Sequence, residues 1–288
     1  MRPDTLISMP GATLQHGPAS DRVYLMKLSS VDATRIIRFM DRLATANGYS
    51  KLFAKVPGAA ESRFTAKGFR VEARVPAMYG GREDGCFMAK YPDQKRSRIA
   101  DPQRVRNVLD TALRQEPRSS SPTPPPGWTC RRMAEADVDD MATLYRLVFE
   151  TYPFPIHDPD YLRSTMRASV RYFGMLDDQG RVVALASAEM DTDGKNAEMT
   201  DFATQEDCRG KGLASALLAR MERDMAQAGI RTAFTIARAH ATGMNVVFSR
   251  QGYTFAGTLP NNTQIKGDLE SMNVWYKYLD TDDKTQTV

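Results

Sequence analysis

The 288-residue sequence predicts an α/β (α+β) chain with a mixed, mostly antiparallel sheet. Three observations carry that expectation. Apolar periodicity switches repeatedly between strand-like and helix-like spacing, one Pro/Ser-rich stretch divides the chain, and one block of helix, turn glycine and aromatic occurs twice. At 42% hydrophobic and 26% charged, the composition is that of an ordinary globular protein long enough for two cores.

The elements follow in order. Residues 138–149 place Met141, Leu144, Tyr145 and Val148 at helical spacing, with Asp137 positioned as a cap. Residues 171–176 and 181–188 are two strands around the glycine-containing turn Asp177 to Gly180, and residues 196–204 are a third strand. From Lys211 to Ala228 a strong helix puts Leu213, Leu217, Leu218, Met221 and Met225 on one face, and Gly229 ends it. A strand at 232–237, a helix around 245–250 and strands near 253–258 and 272–278 complete the second half.

Residues 116–127 (EPRSSSPTPPPG) forbid helix and carry no apolar side chain. They read as a semi-rigid linker, against the alternative of a long loop within one domain. The expected organisation is therefore a flexible N-terminus (1–20), an N-terminal domain (21–115), the linker (116–127), a C-terminal domain (128–280) and a flexible tail (281–288). Residues 36–48 match 217–229 at a constant offset of 181, pairing Met40 with Met221, Arg42 with Arg223 and Gly48 with Gly229. Farther on the offset becomes 184, where Phe64, Gly68 and Phe69 align with Phe248, Gly252 and Tyr253. Any two amphipathic helices look somewhat alike. Agreement in order, spacing and turn glycines across both blocks favours a duplication, with the first copy degenerate.

Several classes are excluded or disfavoured. No run of about 18 apolar residues exists to span a membrane, and the first twenty residues lack the continuous apolar region of a secretory leader. Cys86, Cys130 and Cys208 are odd in number and far apart, so neither a disulfide framework nor a zinc site is expected, and a reducing cytoplasm is. Three histidines make a histidine-rich metal centre improbable, and no metal is expected. The net charge of +4 hides an asymmetry of +9 in residues 1–127 against −5 in the remainder. That split suits a nucleic-acid-binding half or two halves that attract each other. No nucleic-acid-binding motif accompanies it, which favours the docked halves.

The turn Arg209-Gly210-Lys211-Gly212-Leu213-Ala214 joins a strand to the strong helix. Glycines at such a junction let backbone N–H groups approach an anion, with the helix terminus and two basic side chains behind them. A tight turn alone also wants glycine. No Gly-Lys-Ser/Thr follows, so it is not a P-loop, and two glycines do not make a dinucleotide fingerprint.

This turn, in its setting of alternating strands and helices over residues 129–279, resembles the Arg/Gln-x-x-Gly-x-Gly/Ala motif of the GNAT superfamily of N-acetyltransferases. The resemblance implies the GNAT fold and acetyl-CoA as cofactor. It implies a pyrophosphate held by Arg209, Gly210, Lys211, Gly212, Leu213 and Ala214, with Phe202, Ala203, Thr204, Asn245 and Phe248 also at the cofactor. For Asn245, helix capping is the alternative. In the first copy the equivalent stretch, residues 28–33, has no glycine and no base, so CoA binding is not expected there. Residues 149–156, 198–204, 257–265 and 270–277, with Phe87 to Tyr91, resemble the β-lysine N-acetyltransferase family over nearly the whole chain. Residues 266–269 (KGDL) depart from that family's small residues, which bears on the exact amine.

What the resemblance implies is acetylation of the ε-amine of β-lysine by direct attack on the thioester, in osmolyte synthesis beside a lysine aminomutase that supplies the substrate. A homodimer stays open, and neither a membrane nor a nucleic acid is an expected partner. Glu198 and Asp201 are candidate bases. Three apart on a regular strand, they face opposite sides, so only one reaches the substrate unless a bulge intervenes. Each also reads as a surface carboxylate. Phe248 stands where the superfamily often has a tyrosine and has no proton to give a thiolate, which leaves Tyr276 or Tyr278 as substitutes, or no acid at all, since a CoA thiolate is a tolerable leaving group. Glu150 and Glu270 are candidates for the amines, Tyr152, Phe154 and Trp275 for pocket walls, and Asn261, Asn262, Thr263 and Asn273 for the carboxylate. Asn-Asn-Thr equally reads as a turn, and Cys208 as incidental. The alternatives are acetylation of another diamine or a protein lysine, and a non-catalytic acyl-CoA-binding protein.

Overall fold

The structure is a computed structural model and describes residues 4–29, 32–265 and 267–279. The expected tail at 281–288 lies outside the described residues. The first half runs β1 (Thr5–Met9), β2 (Ala12–Gly17), β3 (Arg22–Leu28), α1 (Ala33–Asn47), β4 (Lys51–Pro57), α2 (Glu61–Thr65), β5 (Arg70–Tyr79), β6 (Glu83–Lys90) and α3 (Pro102–Leu113). The second runs β7 (Thr129–Arg132), α4 (Val138–Val148), α5 (Pro159–Ala168), β8 (Val170–Leu176), β9 (Val182–Asp191), β10 (Asn196–Thr204), α6 (Leu213–Gln227), β11 (Thr232–Arg238), α7 (Thr242–Arg250), β12 (Thr254–Ile265) and β13 (Asp268–Tyr278).

The long helices form where the apolar stripe demands. In α6, Leu213, Leu217, Leu218, Met221 and Met225 are all buried, each burial stabilising by about 1.5–3 kcal/mol. Gly229, just past the helix, takes φ +80°, a left-handed conformation that glycine adopts without strain. The same device ends α1 at Gly48, φ +71°.

All thirteen strands of the described residues form one sheet, in the order β1-β2-β3-β4-β6-β5-β12-β13-β11-β10-β9-β8-β7. Within the first half β3 and β4 are parallel around α1, and β4, β6 and β5 then pair antiparallel. Within the second half β10 and β11 are parallel around α6, and β11, β13 and β12 pair antiparallel. The two halves thus share one topology. They meet where Gly257 of β12 pairs with Ala73 of β5 in antiparallel fashion, residues that correspond under the 184 offset. An antiparallel pair of equivalent residues places an approximate two-fold axis between the halves. The seam is apolar: Tyr24, Phe53 and Phe87 pack with Phe234, Leu259, Met272 and Val274 in one cluster. That packing fixes both halves as one body.

Gly257 is the tightest point of the seam. Its φ is +148°, and a Cβ there would lie 2.2 Å from the Glu72 carbonyl oxygen and 2.8 Å from Ala73 Cα. Backbone cannot retreat as a flexible side chain does. Gly257→Ala is therefore expected to destabilise by about 2–3 kcal/mol, a fall of roughly 5 °C or more in Tm. An unchanged melting curve would deny the close approach.

Three expectations are corrected here. Residues 5–17, expected to be flexible, form the β1–β2 hairpin, because β3 leaves an edge that β2 pairs from Ala12 to Gly17. Helix α3 was expected within the N-terminal domain. Its Ala112 and Leu109 instead pack in the second core with Leu218, Met221 and Phe248, so it belongs structurally to the second half. Asn261-Asn262-Thr263 is not a turn between elements but a bulge within β12, whose register slips between Leu259 and Thr263 with Asn261 at φ +42°. Residues 116–127 are irregular as expected, and they lie on the second half: the Arg118 N–H donates to the Arg250 carbonyl at 2.8 Å.

Candidate functional site

The first component is the α6 N-terminus. Gly210 and Gly212 both take left-handed φ, +79° and +77°, and no side chain caps the helix. The first-turn N–H groups are therefore open to a ligand, with the positive end of the helix dipole behind them. Its counterpart in the first half is closed. At the start of α1 the Asp32 carboxylate accepts from the Thr34 N–H at 2.9 Å, which also holds its carboxyl below the usual range. An acid already occupies the place an anion would take.

The second component is a split in the sheet. Parallel strands β10 and β11 pair only at residues 196–198 of β10, and then part. Along the diverging edge β10 bulges: its pairing with β9 jumps from Thr200 to Ala203, and Asp201 adopts φ +54°. Before the bulge Ala197 and Met199 face the α6 core; after it Phe202 does. Thr200 and Asp201 consequently share the opposite face. This resolves the spacing problem, because the extra residue turns Glu198 and Asp201 to the same side.

On that side lies a recess built from both halves. Glu189, Glu198 and Asp201 line it beside Tyr152, Phe154, Asn262 and Thr263, and the first half supplies Arg22, Tyr24, Met26 and Lys55. Glu189 and Glu198 stand directly opposite each other across β9 and β10. Like charges in that position repel. Burial first, and then the charges of Glu198 and Asp201, push the Glu189 carboxyl up to about 8, against the opposing pull of Lys55. Burial likewise raises Glu198 and Asp201. Asp201 is held at both oxygens, accepting from the Tyr152 hydroxyl and from Ser187 Oγ, the latter at 2.6 Å. Among the described residues neither glutamate has such a donor.

On the opposite face of β10, a second cleft is lined by Phe202, Thr204, Arg209, Gly210, Gly212, Leu213 and Ala214. Cys208, Ser215, Val148, Gly243, Met244, Val247, Arg118 and Arg250 complete it. The two clefts share no lining residue; Asp201 of the first and Phe202 of the second are consecutive on β10. The parting of β10 from β11 after residue 198 lies between the clefts in the sheet.

Other expected site residues lie elsewhere. Asn245 is fully buried and donates to the carbonyls of Arg238 and Ala241, while its Oδ1 accepts from Asn273 and Trp275. Those three form a structural hub in place of cofactor and substrate contacts. Phe248 is core, edge-on to Phe202 and backing it, and Ala203 is buried in the α4 core. Lys211 lies over the Trp128 ring, its Nζ 5.3 Å from the centroid, and does not line the cleft. Glu270 is ion-paired with Arg238, and Asn261 donates to the carbonyls of Arg96 and Arg98. Glu150 is exposed and outside the recess. Tyr276 packs in the seam against Tyr278, apart from both clefts, which removes it as the acid.

Sequence reasoning missed Glu189 and the first-half residues. For Glu189 a signal existed: Ser187 and Glu189 alternate as polar positions in an otherwise apolar strand, on the face that meets Glu198 and Asp201. For Arg22 and Lys55 no local signal existed, because tertiary docking alone brings them to the recess.

The profile of the Acetyltransferase (GNAT) family matches residues 139–253. The chain is 35% identical over 276 residues to a beta-lysine N(6)-acetyltransferase of Methanococcus maripaludis, covering 95% of this chain and 98% of that one. It is 30% identical to a beta-lysine N(6)-acetyltransferase of Methanosarcina mazei over 82% of this chain and 94% of that one. It is also 35% identical to the N-acetyltransferase YodP of Bacillus subtilis, over 73% of this chain and 76% of that one.

Proposed function

The chain belongs to the GNAT family of acetyl-CoA-dependent N-acetyltransferases, and from that premise we propose that it acetylates the ε-amine of β-lysine. The observation that carries this reading is the triad of carboxylates, Glu189, Glu198 and Asp201, gathered in one recess beside the β10 bulge. A cationic amine relieves their mutual repulsion, and the names of two relatives point to the same substrate.

In this reading acetyl-CoA lies along the α6 cleft. Its pyrophosphate rests on the open N–H groups after Gly210 and Gly212, near Arg209. The thioester enters the split beside Phe202, where backbone skipped by the β9 ladder is free to stabilise the carbonyl oxygen as negative charge develops. The amine must lose a proton before it attacks. An ordinary carboxylate is too weak a base for an ammonium, whereas one raised toward neutrality is matched to the task. The Glu189–Glu198 pair takes the proton, and Asp201, fixed by Tyr152 and Ser187, orients the amine. Nitrogen then bonds to the carbonyl carbon, the C–S bond breaks, and the thiolate leaves. Phe248 offers no acid, and a thiol with an ordinary pKa of about 8.5 leaves without one.

Residues 128–280 carry this chemistry in the proposal, and residues 21–115 are a degenerate copy that does not hold the cofactor. Acetylation removes one positive charge and leaves a net-neutral amino acid, the charge state suited to a compatible solute. The test is turnover of β-lysine, α-lysine and spermidine by the purified protein with acetyl-CoA. A kcat/KM at least ~10-fold higher for β-lysine is expected, and equal rates on all three would sink the assignment.

A further inference from the structure

Arg22 opens β3 and points into the amine recess from the first half. It is 4% exposed. Nη1 donates to the Asn262 carbonyl at 2.6 Å and Nη2 to Gln15 Oε1 at 3.2 Å, while Nε has no partner. A guanidinium has five N–H donors, so three remain unused. Asp4 and Glu198 act on its charge only at longer range, without forming an ion pair. Lys55, the other cation of the recess, lies with Nζ 4.8 Å from the Phe234 ring centroid, and its charge bears on Glu189 and Glu198. Arg22 is thus a buried cation whose contacts are neutral, the Tyr24 ring 4.9 Å from its Cζ among them, facing a recess that also holds a buried, unpartnered Asn262 Oδ1.

Burying a charge without a counter-ion is costly, and the planar fork of arginine matches a carboxylate in two parallel hydrogen bonds. The recess therefore presents opposite charges to two parts of one ligand: carboxylates at the β10 bulge, and an unpaired guanidinium at β3. We infer that Arg22, carried by the half without a cofactor turn, receives the carboxylate of the amino-acid substrate and thereby selects β-lysine against carboxylate-free diamines. The inference rests on the acetylation reading above and gives the degenerate half a role in it. That half has lost the anion site of its own helix terminus and supplies an anion site to its neighbour. Gln15 strengthens the link, since its Oε1 accepts from Arg22 while its Nε2 donates to the Pro153 carbonyl, in the loop that carries Tyr152.

The experiment compares three amines at saturating acetyl-CoA: β-lysine, its carboxamide, and pentane-1,4-diamine, which keeps both amines without the carboxylate. The full-length protein is expected to prefer β-lysine over the other two by ~100-fold or more in kcat/KM. Arg22→Gln is expected to lose that factor on β-lysine and to change the other two less than ~3-fold, with KM for acetyl-CoA unaltered. Arg22→Lys should recover only part of it, because a point charge lacks the fork. The carboxamide arm needs no variant, so it decides the matter even if a substitution unfolds the chain. Equal turnover of β-lysine and its carboxamide, or an equal loss on all three amines in Arg22→Gln, overturns the carboxylate role and leaves acetylation standing. No turnover of any of the three overturns the acetylation reading, and this inference with it.

Discussion

Glu198→Gln is expected to lower kcat/KM for the amine by ~10²–10³-fold while leaving KM for acetyl-CoA within a factor of about 3. The glutamine keeps the shape of the recess but cannot take a proton, and it weakens the field that draws a cation. Glu189→Gln should act in the same direction, because the two carboxyls face each other across β9 and β10 and titrate as a pair. The same change should make the ligand-free protein more stable at alkaline pH. Glu189 is raised in the folded state to about 8 from an ordinary value of 4.5. Its protonated form is favoured by folding, so its contribution is fully present below about pH 4.5 and is lost as pH rises through about 8. Removing the ionisable group removes that loss. Tm of Glu189→Gln should therefore exceed that of the parent at pH 8–9 and converge with it near pH 4.5. Activity near the parent level for both variants would eliminate the pair as base. Activity traded for stability in this way is common where a site holds unfavourable charge.

Gly212→Asp is expected to raise the dissociation constant for CoA by ~10²-fold or more without unfolding the chain. Gly212 caps α6 at φ +77°, and aspartate is among the side chains that tolerate this region best. Its carboxylate would place negative charge at the open helix terminus and meet the phosphates with like charge. In the half that lacks the anion turn an aspartate already stands at the helix start: Asp32, at φ −58°, accepts from the Thr34 N–H. Calorimetric titration with CoA, together with a melting curve, separates lost binding from lost folding. Unchanged CoA affinity would remove the turn from the cofactor site.

Much of the fold was legible because local rules were sufficient. The α6 face, the turn glycines and the strand-turn-helix at residues 204–213 are set by neighbours in sequence, and the repeat announced two units of one topology. The hairpin at residues 5–17 was missed because its stability comes from pairing with β3. Helix α3 was misplaced because its partner, α7, lies more than a hundred residues away.

The site divides along the same line. The anion turn could be read directly, since glycine conformation and helix ends are local properties. Asn245, Asn273 and Trp275 looked functional as polar or aromatic residues in specific motifs, yet their hydrogen bonds close on one another in the core. Polarity alone does not distinguish a buried network from a binding surface.

By itself, the sequence determined the element types, the duplicated topology, the glycine turn before α6 and the two carboxylates on β10. Only the tertiary structure decided which way those carboxylates face, because a bulge at Asp201 reverses the alternation that a regular strand imposes. It also decided that the recess holding those carboxylates is shared by both halves. Docking β5 against β12 carries Arg22 and Lys55 to a site more than a hundred residues away in the chain, and a contact made by two-fold packing leaves no mark on the spacing of either half.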